Sequence, residues 1–141
     1  MLEAMKRLKP FGVEAIGSIS RERMASELSE AMVLGYPCST IAFTEGFSVS
    51  ILESCAAGVF PIISSVDCLG SIYGGVVPMV ESPVEKHMDE FTNLVIRGLT
   101  DEPFRKETIA KCKEFANKHT WAEATKKLEK IVLDHRKTNA K

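Results

Sequence analysis

Basic residues are missing from the middle of this 141-residue chain, where no Lys or Arg occurs between Arg23 and Lys86. Overall, 18 Lys and Arg residues are balanced by 19 Asp and Glu residues, which gives a net charge of −1. That balance argues against a dedicated nucleic-acid-binding protein. The sequence also lacks an apolar run near the roughly 18 residues of a membrane span, and it lacks a secretory h-region at its start. We therefore expect a cytoplasmic protein.

Cysteine and histidine are too sparse for a disulfide framework or a zinc site. The four cysteines form no CxxC pair, and the three histidines lie far apart in the sequence. We therefore predict reduced thiols and no bound metal. The chain is 45% hydrophobic and 26% charged, as is usual for a globular protein with a buried core. We interpret residues 1–141 as a single domain.

Charge is unevenly distributed along the chain. Residues 1–100 hold 7 basic and 12 acidic residues, whereas residues 101–141 hold 11 basic and 7 acidic ones. A phosphate group held by the middle of the chain would therefore rely on backbone N–H groups, a helix end or cations from elsewhere. The basic tail is interpreted as a solvated helix face, and the alternative is contact with an anionic membrane surface or a partner domain.

Alternating strand and helix patterns predict an α/β fold. Short apolar segments at 11–17, 32–36, 60–66 and 76–80 are typical of strands. A helix is expected to start after Ser20, and another over 49–57 is expected to end at Gly58. Strands that alternate with helices favour a Rossmann-like parallel sheet flanked by helices. The stretch 67–75 is rich in turn-forming residues, and Tyr73 within it either packs inside or lines a pocket.

The last third of the chain has helical periodicity. One amphipathic stripe begins at Met88, and Asp101 followed by Pro103 marks the start of a second helix. Thr120 and Glu123 form a capping box for a third helix. We predict that Trp121 packs in the core at the start of that helix.

The loop at 44–50 is the strongest candidate for a ligand site. In parallel α/β sheets, ligands bind beyond the carboxyl ends of strands, where helices begin. Gly46 would let a ligand approach the backbone closely, and Ser48 and Ser50 offer hydroxyl groups. Free N–H groups at this helix start would suit a diphosphate. The simpler alternative is that Ser48 only caps the helix.

Two carboxylates flank this segment, Glu45 in the loop and Glu53 in the helix, with the spacing E-x7-E. Ionised carboxylates accept hydrogen bonds from vicinal hydroxyls such as those of ribose or a hexose. Glu53 lies in the apolar stretch ILESCAAG, where burial of a charge without a partner would be costly. The pattern therefore favours a Glu53 that faces a ligand.

The string TEGFSVSILESCAAG, followed by FPIISS, resembles the donor-binding motif of retaining glycosyltransferases with the GT-B fold, of the group 1 or family 4 type. The resemblance extends over residues 11–136 and implies the C-terminal half of a GT-B fold. The positions that match in register are Glu45, Gly46, Phe47, Leu52, Glu53, Ala56, Gly58, Pro61 and Ser64 or Ser65.

The resemblance also implies a role for each matched position. Glu45 would be catalytic and contact the donor sugar, and Glu53 would hold the ribose of a nucleotide-diphosphate sugar. The backbone would contact the donor sugar and the diphosphate at Gly46, Phe47, Ser48, Val49 and Ser50. The reaction implied is glycosyl transfer to an acceptor hydroxyl with retention and without a bound metal.

The chain departs from the family pattern in sequence and in length. Ser48 and Ser50 replace a usual Gly and Pro, and DCLGSIY stands where Gly-Gly-x-Pro-Glu is usual. GT-B enzymes have two domains, so we expect the N-terminal acceptor domain and the first strands of the donor domain to be missing here, and the chain alone to be inactive. An open sheet edge would favour self-association. The alternative function is a non-catalytic interaction or regulatory module with the same fold.

Overall fold

The fold is built on a three-stranded parallel sheet. The computed structural model describes residues 7–38 and 46–139. The strands are β1 (Val33–Tyr36), β2 (Phe60–Ser65) and β3 (Met79–Glu81), in the spatial order β1-β2-β3. β2 is the central strand and is the most deeply buried, as expected for a strand covered on both faces. The predicted α/β class is confirmed.

Helices surround the sheet, and their ends follow local capping signals. They are α1 (Arg21–Glu30), α2 (Val49–Ala57), α3 (Leu69–Tyr73), α4 (Met88–Thr100), α5 (Glu102–Lys118) and α6 (Trp121–Asn139). The Ser20 hydroxyl accepts a hydrogen bond from the Arg23 N–H at 3.2 Å, which confirms the predicted cap of α1. Gly58 ends α2 with a φ of 81°, in the left-handed conformation that glycine adopts without strain.

Two apolar clusters pack on opposite faces of the sheet. Side chains alternate along β2, so Ile63 joins one cluster while Phe60 and Ile62 join the other. The first cluster is shared with α2, α3 and α5 and includes Ile51, Cys55, Leu69, Tyr73 and Cys112. The second cluster includes Phe91 of α4. The first cluster therefore holds α2 and α3 against one face of the sheet, and the second holds α4 against the other.

Three sequence-based predictions about local structure are wrong. Residues 13–17 are irregular and exposed rather than a strand, since a strand needs a hydrogen-bonded neighbour and the described residues provide none there. The stretch predicted as a turn contains α3. β3 starts at Met79 instead of Val76, because the N–H groups of Val76 and Val77 bond to the Tyr73 carbonyl.

The C-terminal helix α6 stands apart from both clusters. The prediction that Trp121 packs in the core is wrong, since 90% of its surface is exposed. None of the side chains described along α6, at 121–136, is buried. Among the described residues, no helix combines the length and apolar character needed to cross a bilayer.

Candidate functional site

The candidate site lies at the carboxyl edge of the sheet. Because the strands are parallel, the chain leaves β1 and β2 at the same edge and enters α2 and α3 there. The predicted catalytic residue Glu45 lies outside the described residues. The described part of the site therefore begins at Gly46, three positions before Val49, the first residue of α2.

The start of α2 is open to a ligand. Ser48 occupies the N-cap position and is buried, yet its hydroxyl forms no capping hydrogen bond within the part of the chain that the structure describes. The simpler interpretation of Ser48 as an ordinary cap is therefore not supported. The N–H groups of the first turn, at Val49 and Ser50, have no acceptor within the helix. Both residues are exposed.

Tyr73 holds the start of α2 in place. Its hydroxyl donates a 2.8 Å hydrogen bond to the Ser48 carbonyl, and its side chain is fully buried. The ring lies 6.0 Å from that of Phe47 and 5.3 Å from that of Phe115, measured between centroids. Of the two interpretations of Tyr73, packing is therefore the one observed. The hydrogen bond to Ser48 was not predicted, since it joins residues 25 positions apart.

Ser64 holds a second point of the chain at this edge of the sheet. Its buried hydroxyl accepts a 2.8 Å hydrogen bond from the Cys38 N–H, just after β1. The end of β2 thereby holds the chain where it leaves β1. One signal for this role is present in the sequence, a serine near the end of an apolar strand segment.

Gly46 and Phe47 form the outer side of the site. A Cβ atom placed on Gly46 would meet nothing within 4 Å, so the space beside its backbone is open. Phe47 is 44% exposed, although its ring contacts those of Tyr73 and His119. An approaching group could therefore reach the backbone at Gly46 and the face of Phe47.

Glu53 lies on the wall of a groove between α1 and α2. The residue is exposed, so the expected difficulty of burying its charge does not arise. Arg21 lies on the same groove, and this cation was missed because Arg21 is 32 positions away in the sequence. The groove has a volume of about 260 Å³ and is lined by Arg21, Met24, Ala25, Leu28, Glu53, Ala56 and Ala57.

Behind α2, two buried thiols face each other. Cys55 of α2 and Cys112 of α5 are both fully buried, and all four cysteines are free thiols. The neighbouring Cys55 thiol, together with burial, raises the pKa of Cys112, whose own thiol donates a 3.8 Å hydrogen bond to the Val76 carbonyl. This pair therefore packs as core rather than facing the site. The described residues contain no group of three or more His, Cys, Asp or Glu side chains placed to hold a metal ion.

Comparison with known proteins adds no assignment to this geometry. Neither the protein-family models nor the curated proteins match the chain.

Proposed function

We propose that this chain binds a nucleotide-diphosphate sugar at the carboxyl edge of its sheet, as the donor-binding part of a retaining glycosyltransferase. The observation that carries the proposal is the uncapped start of α2, which lies at the edge where parallel α/β sheets bind ligands. The resemblance of residues 44–65 to the donor-binding motif supports the same location.

The start of α2 suits a diphosphate. The N–H groups of the first turn, at Val49 and Ser50, lack an acceptor within the helix and can donate hydrogen bonds to phosphate oxygens, and the positive end of the helix dipole favours negative charge. Tyr73 holds the Ser48 carbonyl, directly before these donors, so the donors are held in place before a ligand arrives. Binding would then order few groups, which favours affinity.

Glu53 is placed to bind the ribose of the same ligand. It follows Ser50 by three residues, which is about 4.5 Å of helix rise, and residues three apart lie on neighbouring faces of a helix. One nucleotide can therefore contact the helix start with its phosphates and Glu53 with its ribose hydroxyls. Arg21 adds a positive charge to the groove that Glu53 lines.

Transfer requires groups beyond those described here. The resemblance assigns the catalytic contact with the donor sugar to Glu45, and stabilisation of a leaving diphosphate needs preorganised donors or cations. Arg21 is the cation that the described residues supply to this groove. We propose that a second domain supplies the acceptor site, and that the chain alone does not catalyse transfer.

The absence of Lys and Arg between Arg23 and Lys86 favours a second candidate function. A fold that has lost its phosphate-neutralising cations could be retained for contacts with other proteins. This alternative, a non-catalytic interaction or regulatory module, predicts a folded chain that binds no nucleotide.

Calorimetric titration with UDP, GDP and ADP, each free and as a sugar conjugate, tests the proposal. We expect one nucleotide to bind with a millimolar or lower Kd, and Glu53→Ala to weaken it about ten-fold or more, because hydrogen bonds to a charged acceptor are lost. Glu27→Ala is the matched control, since Glu27 is an exposed glutamate of α1 that pairs with Arg23 at 3.4 Å. That control should bind normally.

Two results would count against these assignments. Unchanged affinity in a folded Glu53→Ala variant would refute the ribose contact. If no nucleotide binds to the folded chain, the titration is repeated with the second domain present, and continued absence of binding would favour the interaction module.

A further inference from the structure

The C-terminal helix α6 presents an apolar stripe that the body of the protein leaves uncovered. Trp121, Ala124, Leu128 and Ile131 repeat at intervals of three and four residues, which places them along one side of the helix. All four are exposed, Leu128 at 62% and Ile131 at 65%. A stripe with this spacing is typical of a helix that packs against another helix.

The stripe continues into a groove on the body. Trp121 and Ala124 line it from α6, and Phe47, Val49 and Leu52 line it from the start of α2. The groove has a volume of about 390 Å³. Apolar residues of α2 and α6 therefore share this groove, whose lining also includes Lys118, His119, Thr120 and Lys127, and the stripe continues along α6 to Ile131.

Helical stability in proteins comes mostly from packing of an apolar face, and a helix alone in water is marginal. We propose that α6 pairs in antiparallel orientation with α6 of a second copy of this chain. The two-fold axis would pass between Leu128 and Ile131, so that Leu128 of each copy packs against Ile131 of the other. Ala124 would then lie opposite His135 of the second copy.

The positions of two charged residues on α6 favour a second copy of this chain as the partner, in antiparallel orientation. Lys127 and Asp134 both flank the stripe on the same side, seven residues apart. In an antiparallel pair, Lys127 of each helix lies beside Asp134 of the other, which gives two opposite-charge pairs. In a parallel pair, Lys127 would instead lie beside Val132, so no charge pair would form there. An unrelated partner would not require this self-complementary pattern.

The test is sedimentation equilibrium of the whole chain over a wide concentration range, with charge-swap variants. We expect reversible dimers of the wild type, and dimerisation about ten-fold weaker in Lys127→Asp and in Asp134→Lys, because each creates two like-charge contacts. The double variant Lys127→Asp/Asp134→Lys should dimerise within about three-fold of the wild type. The matched control is Lys126→Asp, which makes the same charge change on the outer side of α6 and should dimerise normally.

Three outcomes would overturn the proposal. A wild-type chain that stays monomeric at all concentrations excludes the pairing. If the double variant fails to restore dimerisation, α6 does not mediate dimerisation in this register. The same conclusion follows if Lys126→Asp weakens dimerisation as much as Lys127→Asp does. A monomer that binds vesicles containing anionic lipid assigns the stripe to a membrane surface. Because the described side chains of α6 are not buried, circular dichroism should show that every variant remains folded.

Discussion

Removing the Tyr73 hydroxyl should loosen the start of α2 without disturbing the packing around it. In Tyr73→Phe the ring contacts with Phe47 and Phe115 remain, while the 2.8 Å hydrogen bond to the Ser48 carbonyl is lost. That carbonyl keeps only the longer bond from the Leu52 N–H, at 3.3 Å. Loss of one buried hydrogen bond should lower the free energy of unfolding by about 1 kcal/mol. Any nucleotide affinity should fall as well, since the first-turn donors lose their anchor.

Urea denaturation followed by far-UV circular dichroism measures this change, with an m-value that should stay the same. Ser71→Ala is the matched control, because it removes a hydroxyl from the same helix whose 2.9 Å bond to the Cys68 carbonyl is exposed. The control should change the unfolding free energy by less than about 0.5 kcal/mol. A Tyr73→Phe variant as stable as this control would refute the anchoring role of Tyr73.

Two further predictions concern the helices that pack beside the sheet. Gly98→Ala should lower the unfolding free energy by about 1–2 kcal/mol in urea denaturation, since the new Cβ would lie 2.5 Å from the buried Phe60 ring, and better helix propensity offsets only part of that overpacking. In Gly35→Ala the nearest atom to the new Cβ lies 3.5 Å away, in the Phe91 ring, so this variant should lose less unfolding free energy than Gly98→Ala. Equal losses of unfolding free energy in the two variants would contradict this reasoning. The Asp101 carboxylate accepts the Phe104 N–H at the start of α5, which lowers its pKa below 3.8. The pKa of Asp101 is lower in the folded state than in the unfolded state. The stabilisation that its carboxylate contributes is therefore present at neutral pH, and it is lost as the pH falls below about 4 and through the folded-state pKa. The difference in Tm between wild type and Asp101→Ala should therefore shrink on acidification, and a difference that is constant from pH 7 to 2 would exclude the carboxylate as its source.

Much of the secondary structure could be predicted because its determinants are local. The limits of α2 follow from a short apolar segment and Gly58, and Ser20 caps α1 through a bond to a residue three positions away. Asp101 marks the start of α5 in the same way. Such bonds form between neighbours in the chain, so residue order alone indicates them.

The predictions that failed depended on distant partners. Residues 13–17 have the composition of a strand, but a strand forms only where another strand offers its hydrogen bonds. Trp121 has the apolar character of a core residue, yet the described residues place nothing over it. Composition indicates what a side chain prefers, and the surrounding fold determines whether it is covered.

For the candidate site, the sequence by itself determined the α/β class, the position of α2 and the segment Gly46–Ser50 at its start. The tertiary structure alone decided that Tyr73 anchors that segment, that Ser64 holds the chain at Cys38, that Arg21 joins Glu53 on one groove, and that the described side chains of α6 are not buried. The physical reason is the distance along the chain over which each interaction acts. Capping and periodicity act within a few residues, whereas packing on the sheet brings together groups that are 25 or more positions apart.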